Sequence, residues 1–185
     1  MDSSGPNRLR DAMDAALAGL QAGMVATVFF LAWMGVAARF AYTSFWTAEN
    51  LMASVFHGRA AIRGGMYSGT ISGLALYLLL YSLLGALFAM AVRGRVAGSR
   101  LTLAGILFGL CWYYLSFRMA AKAAAPLVAL LHAEGPTLWG HALYGALLAR
   151  YRLYLPRSET PAAPGQPAPE ATPAAAGDGA AEPPA

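Results

Sequence analysis

Hydrophobic positions in this chain come in long unbroken runs, not in the alternation of a half-buried strand or the single stripe of a soluble helix. Ala15 to Ala38 is interrupted only by Gln21 and Thr27 and carries no charge; Gly64 to Val92 is a second uncharged run and Leu101 to Phe117 a third. A bilayer core is ~30 Å thick, so a helix of about 20 apolar residues crosses it. Each crossing segment must satisfy its own backbone, which selects the helix. Trp139 to Leu155 is a shorter fourth run, able to cross if Arg150 and Arg152 snorkel to the headgroups. The pattern predicts an all-α membrane protein with four transmembrane helices in a bundle. The first run is too long for a signal-peptide core and ends without a clean Ala-x-Ala site, so it reads as a retained span.

Between the first two spans, Phe45, Ala48, Met52, Val55 and Phe56 recur at helical spacing, with Thr47, Glu49, Asn50 and Ser54 on other faces. This predicts a short amphipathic helix within Thr43 to Phe56, lying in the outer interface or covering the bundle, with Thr43 or Ser44 as its cap. Pro126 and Gly135-Pro136 break the link between the third and fourth spans. Ala123 to Leu131 either extends helix three past a kink or lies in the interface. Glu134-Gly135-Pro136 reads as a turn, with Thr137 as the next N-cap.

Composition and charge sharpen this picture. Hydrophobic residues make up 58% of the chain and charged ones 12%, against ~25% charged in soluble domains. The net charge of +4 comes from arginines at helix ends, so it does not indicate nucleic acid. With four spans both termini share a side. That side carries Arg8, Arg10, Arg93, Arg95, Arg100, Arg150, Arg152 and Arg157; the other carries Arg39, Arg59, Arg63, Arg118 and Lys122. Positive-inside then predicts cytoplasmic termini. Tyr42, Trp46, Tyr67 and Trp139 fall near the outer headgroups, Tyr151 and Tyr154 near the inner ones. Residues 158–185 hold seven prolines, ten alanines, four acids and no base, a composition that predicts disorder. The chain thus divides into an N-terminal arm, 1–14, a four-span domain, 15–155, and a Pro/Ala-rich tail, 156–185. Cys111 is the only cysteine and reads as a small packing residue.

Gly65, Gly69 and Gly73 repeat every fourth residue in the second span, Gly19 and Gly23 in the first, and Gly105 and Gly109 in the third. Each series makes a smooth groove for close approach of another backbone. The neighbour is either another helix of the same bundle or a second copy of the chain. Ala18-Gly19-Leu20-x-x-Gly23 parallels Ala104-Gly105-Ile106-x-x-Gly109, and Gly73-Leu74-Ala75-Leu76-Tyr77 parallels Gly140-His141-Ala142-Leu143-Tyr144. The matches fall in order, suggesting a 2+2 parallel repeat about an axis along the membrane normal.

Gly140-His141-x-x-Tyr144-Gly145, together with Trp46-x-x-Glu49-Asn50-Leu51, resembles a group of small four-span bacterial inner-membrane proteins of unknown function. The resemblance covers roughly residues 15–155 and implies a fold and a bacterial inner-membrane location, but no activity.

Polar and ionisable groups at membrane depth are the default site candidates, because burying a charge there is expensive. Glu49, Asn50, Arg118 and His141 qualify as candidate binding residues, Glu49 pairing with Arg118 or His141 under the interfacial helix. His141 has Tyr77, Tyr113, Tyr114 or a backbone carbonyl as other candidate partners. A bis-histidine haem needs a second facing histidine, but His57 and His132 fall in connections, and His132, Glu134 and Glu49 match no zinc spacing, so neither cofactor nor metal is expected. Hydrolase, zincin and phosphate-loop motifs are missing, so no catalytic residue is assigned and the chain reads as non-enzymatic. The expected role is assembly or interaction in the bilayer, with a homo-oligomer or a membrane protein as partner. The alternative is a small transporter or channel with a polar pocket near the outer leaflet.

Overall fold

A computed structural model describes residues 5–41, 43–62 and 64–156. Tyr42, Arg63 and the tail from Arg157 lie outside them, as do the side chains of residues 5–7, Arg118 and Ala120. The described chain is all helical: α1 (Gly5–Phe40), α2 (Thr47–His57), α3 (Ser68–Val92), α4 (Ser99–Leu115), α5 (Ala121–Ala124), α6 (Pro126–Leu131) and α7 (Glu134–Leu148). A 3₁₀ turn, Gly58–Ala61, follows α2; a π turn, Ser116–Ala120, joins α4 to α5; and a 3₁₀ stretch, Ala149–Tyr154, extends α7. Helices α1 and α3 are long and apolar enough to cross a membrane.

Several boundaries differ from expectation, each for a local reason. Helix α1 begins at Gly5, ten residues before the apolar run, because nothing in the arm from Gly5 onward breaks a helix. The second span starts at Ser68, not Gly64, since Gly65 stands at φ +88°, outside helical space. Glu134-Gly135-Pro136 forms the first turn of α7, where a proline needs no intrahelical N–H partner. Thr137 is therefore inside the helix and caps nothing. Helix four's continuation survives Phe117 and breaks at Ala125, with Pro126 opening α6.

Helix α1 packs against α3 and α7, and α4 packs against α7, whereas α3 and α4 scarcely meet. Small residues explain the close pairs. A Cβ on Gly19 would strike the Gly85 carbonyl, and one on Gly23 would come within 2.8 Å of the Tyr81 carbonyl. In the second pair, Gly105 abuts the Gly145 carbonyl and Gly109 the His141 carbonyl. Both pairs are thus joined in the same way, with Tyr81 and Gly85 playing the parts of His141 and Gly145. The sequence match had aligned Tyr77 with Tyr144; the contacts align Tyr77 with Thr137, seven residues or two turns away. Two turns keep a residue on one face, so the misregistered match still looked regular.

The glycine series of the second span needs correction. Gly65 is in the connection, Gly69 faces the ring of its neighbour Tyr67, and Gly73 admits the α2 backbone at Glu49 and Ala53. Gly19, Gly23, Gly105 and Gly109 are occupied within one chain. Cys111, expected to pack, is exposed.

The core is a column of alternating small and aromatic residues. Ala18, Ala22, Ala26 and Phe30 of α1 meet Tyr77, Tyr81 and Phe88 of α3 and Tyr144 and Leu148 of α7. Tyr151, expected in the inner aromatic belt, is buried against Phe88 at 6.3 Å between ring centroids. At one end of the bundle Arg93 donates to the Arg8 carbonyl (3.4 Å) and Arg152 to that of Val96 (2.6 Å). At the other, Trp33 donates to the Pro136 carbonyl (2.8 Å).

Candidate functional site

At the Trp33 end, α2 folds over the bundle and buries its polar residues together with small apolar ones. Ala48, Glu49, Asn50, Leu51, Ala53 and Ser54 are buried, while Val55 and Phe56 are exposed. Asn50 sets this orientation: its Nδ2 donates to the Gly65 carbonyl (3.0 Å), and its Oδ1 accepts from Thr70 (2.6 Å), which in turn takes the Tyr67 N–H (3.0 Å). These partners lie on α3 and the connection before it, so α2 can reach them only with its polar face inward. Ser44 does not cap α2; its hydroxyl accepts the N–H of Trp46 (3.3 Å) and of Gly65 (3.1 Å), closing the loop at its base. Thr43 instead donates back to the Ala38 carbonyl (2.9 Å) at the end of α1.

Beneath α2 is a cavity of about 140 Å³, walled by the last turns of α1, by α2, by Tyr77 and Phe117, and by the segment from α6 into α7. That volume is roughly what one small aromatic molecule fills. The walls are mainly apolar. His132 and Thr137 also line it, and His132 Nε2 and the buried Thr137 hydroxyl have no hydrogen-bond partner. Buried polar groups are rarely left so, because each unmade bond costs about 1–3 kcal/mol. The stacking of His132 on Phe117, at 4.2 Å between ring centroids, holds the imidazole in place.

His141 sits one turn below Thr137. Its Nδ1 donates to the Thr137 carbonyl (2.7 Å), since a carbonyl can only accept. Nε2 then accepts from the Tyr81 hydroxyl (2.8 Å), and the Tyr81 carbonyl accepts from Tyr144 (2.6 Å). Both ring nitrogens are thus spent within the core, and Phe30 and Tyr113 close around the ring at 5.0 and 5.4 Å. The expected Glu49–His141 pair does not form; Tyr81, the actual partner, was not among the candidates. The backbone of Arg118 is in the π turn, and its side chain lies outside the described residues.

Glu49 is 2% exposed, and its Oε2 has no hydrogen-bond partner. Burial raises its pKa above the ordinary 4.5, opposed by a smaller contribution from its own backbone N–H. The carboxyl lies within electrostatic reach of Tyr77, a wall of the cavity. Of the hydroxyls in the long helices, Thr27 donates to the Gly23 carbonyl (2.6 Å) and Ser72 to that of Gly69 (2.7 Å). Among the described residues no three His, Cys, Asp or Glu side chains converge on a common metal position.

The structure therefore brings Glu49, Asn50 and His141 to the same end of the bundle without joining them, and adds His132, Thr137 and Tyr77. Thr137 was hidden by its reading as a cap and His132 by its place in a connection. The usable signal was the i, i+4 spacing of Thr137 and His141 on one helix face. No protein-family model matches the chain, and neither a curated protein nor a solved structure is found to be similar to it.

Proposed function

We propose that the chain is a non-enzymatic, multi-pass protein of the bacterial inner membrane that holds part of a largely apolar ligand in the cavity beneath α2. Helices α1, α3, α4 with its π extension, and α7 with its 3₁₀ extension are the four crossings, and both termini are cytoplasmic. The outward face of the bundle supports the crossings: Phe29, Leu79, Leu83, Leu107 and Trp139 are all exposed. So does α2, which hides Glu49 and Asn50 and presents Val55 and Phe56, the reverse of what water selects. The alike joining of the two helix pairs supports the parallel repeat.

The observation that carries the binding role is a mainly apolar cavity lined by two residues, Thr137 and His132, whose Oγ1 and Nε2 have no hydrogen-bond partner within the chain. A ligand with one or two polar atoms would satisfy them. This is the binding half of the transporter alternative. The assembly role loses its expected surface, because the glycine faces at Gly19, Gly23, Gly105 and Gly109 are filled from within the chain.

Thr137→Val tests the proposal, since it removes the hydroxyl at nearly constant volume. The empty protein should gain roughly 1 kcal/mol, because an unpaired buried hydroxyl is removed. Retention of a co-purifying ligand, read by native mass spectrometry in mild detergent, should fall. A variant with lower stability and unchanged bound mass would overturn the proposal.

A further inference from the structure

The two helix pairs are joined alike internally but do not close on each other alike: α1 packs on α7, while α3 and α4 stand apart. The gap is a crevice of about 290 Å³, walled by Leu76 and Leu80 of α3, Trp112 of α4, and Met52 and Val55 of α2. Its surface is almost wholly apolar. Along α3 its wall runs from Leu76 to Tyr81, about 8 Å at 1.5 Å per residue. Phe117 and Val128 line both this crevice and the cavity beneath α2, so one side-chain layer separates the two. Phe117 belongs to the π turn, Ser116–Ala120, a wider winding of the kind often found at functional sites.

We propose that the crevice seats an acyl chain, and that the ligand of the outer cavity is a membrane amphiphile that arrives sideways from the bilayer through it. The proposal rests on the membrane reading and on the cavity beneath α2. In that frame the crevice opens between two spans, where the surrounding medium is itself acyl chain. Its walls offer an alkyl tail contact on several sides, and the cavity beyond Phe117 offers the polar end Thr137 and His132. Exposed Lys122, between the crevice-lining Ala121 and Ala124, and exposed Arg39, bonded to the Thr43 carbonyl at the cavity wall, place positive charge at this end. That charge favours an anionic headgroup.

The full chain, reconstituted in nanodiscs of palmitoyl-oleoyl phosphatidylglycerol and transferred to mild detergent, should retain one lipid per protein in native mass spectrometry. Leu80→Trp and the milder Leu76→Phe fill the crevice. Each should lower retention about tenfold, the effect of displacing roughly two methylenes. An unchanged melting temperature in either variant shows that the fold is intact. Retention lost in both crevice variants and in Thr137→Val supports the two-part site. Retention lost only in the crevice variants supports the acyl-chain seat and overturns the cavity reading. Retention indifferent to both crevice variants but lost in Thr137→Val overturns the acyl-chain seat and leaves the cavity reading standing. A wild-type protein that retains no lipid overturns the inference.

Discussion

Glu49 is the one buried carboxylate among the described residues, and its environment gives it a definite pH signature. Burial disfavours the charged form, so the folded-state pKa lies above the unfolded 4.5. Between these two values the folded chain holds a proton that the unfolded chain has lost. Stability therefore falls as pH rises through that window, with no effect of this group below it. Glu49→Gln keeps the shape and removes the titration. Thermal melts in detergent should show Glu49→Gln more stable than wild type at neutral pH, the difference vanishing below about pH 4.5. A variant less stable at neutral pH would mean that the carboxylate is held ionised by a partner. His141 belongs to a different class: with both nitrogens bonded in the core, it links Thr137 at the cavity to Tyr81 at mid-bundle, and it positions but does not bind.

At the level of helices, the closest contacts of the bundle are backbone to backbone, and on the proposed membrane reading these are what hold it, because acyl chains around two spans remove the hydrophobic reason for them to associate. Gly85 and Gly145 are the pivots, each receiving the glycine pair of its partner helix. Gly85→Leu and Gly145→Leu should each cost roughly 3 kcal/mol or more in a denaturing-detergent titration, since the facing atoms are backbone and cannot move aside. Gly69→Leu should cost far less, as the nearest atoms in its way belong to the Tyr67 side chain and not to backbone. Equal losses at all three positions would contradict this reading of the contacts.

The same physics decides what the sequence could reveal. The apolar runs foretold the positions of α1, α3, α4 and α7, and the helical spacing after Phe45 foretold α2. The inward face of α2 was illegible, because the buried residues include Glu49, Asn50 and Ser54 and the hydrophobic stripe does not mark the inside. Its orientation depends on the Asn50–Thr70 bond, formed between residues twenty apart. Gly85 and Gly145 were passed over because neither heads a fourfold series; each becomes visible only as the surface that such a series meets. Of the candidate site, the buried polar character of Glu49, Asn50 and His141 was readable. Their partners were not, since His132 and Thr137 reach the cavity only through the break at Ala125 and the early start of α7.

For the whole molecule, the charge distribution, the cavity and the crevice form one account. The Arg8, Arg93 and Arg152 end carries the start of α1 and Pro156, and the α2 end carries the cavity, so on the proposed topology the site lies in the outer leaflet. Everything proposed about the ligand depends on that placement, and paired reporter fusions test it most directly. Fusions of a cytoplasm-active fluorescent protein and a periplasm-active phosphatase are placed after Ile62, Ala97, Ala133 and Pro156. The account predicts fluorescence at Ala97 and Pro156 and phosphatase activity at Ile62 and Ala133. Phosphatase activity at Pro156 with fluorescence at Ile62 would invert the protein and put the cavity on the cytoplasmic side. The same reporter active at both Ala97 and Ala133 would remove α4 as a crossing and contradict the four-span account.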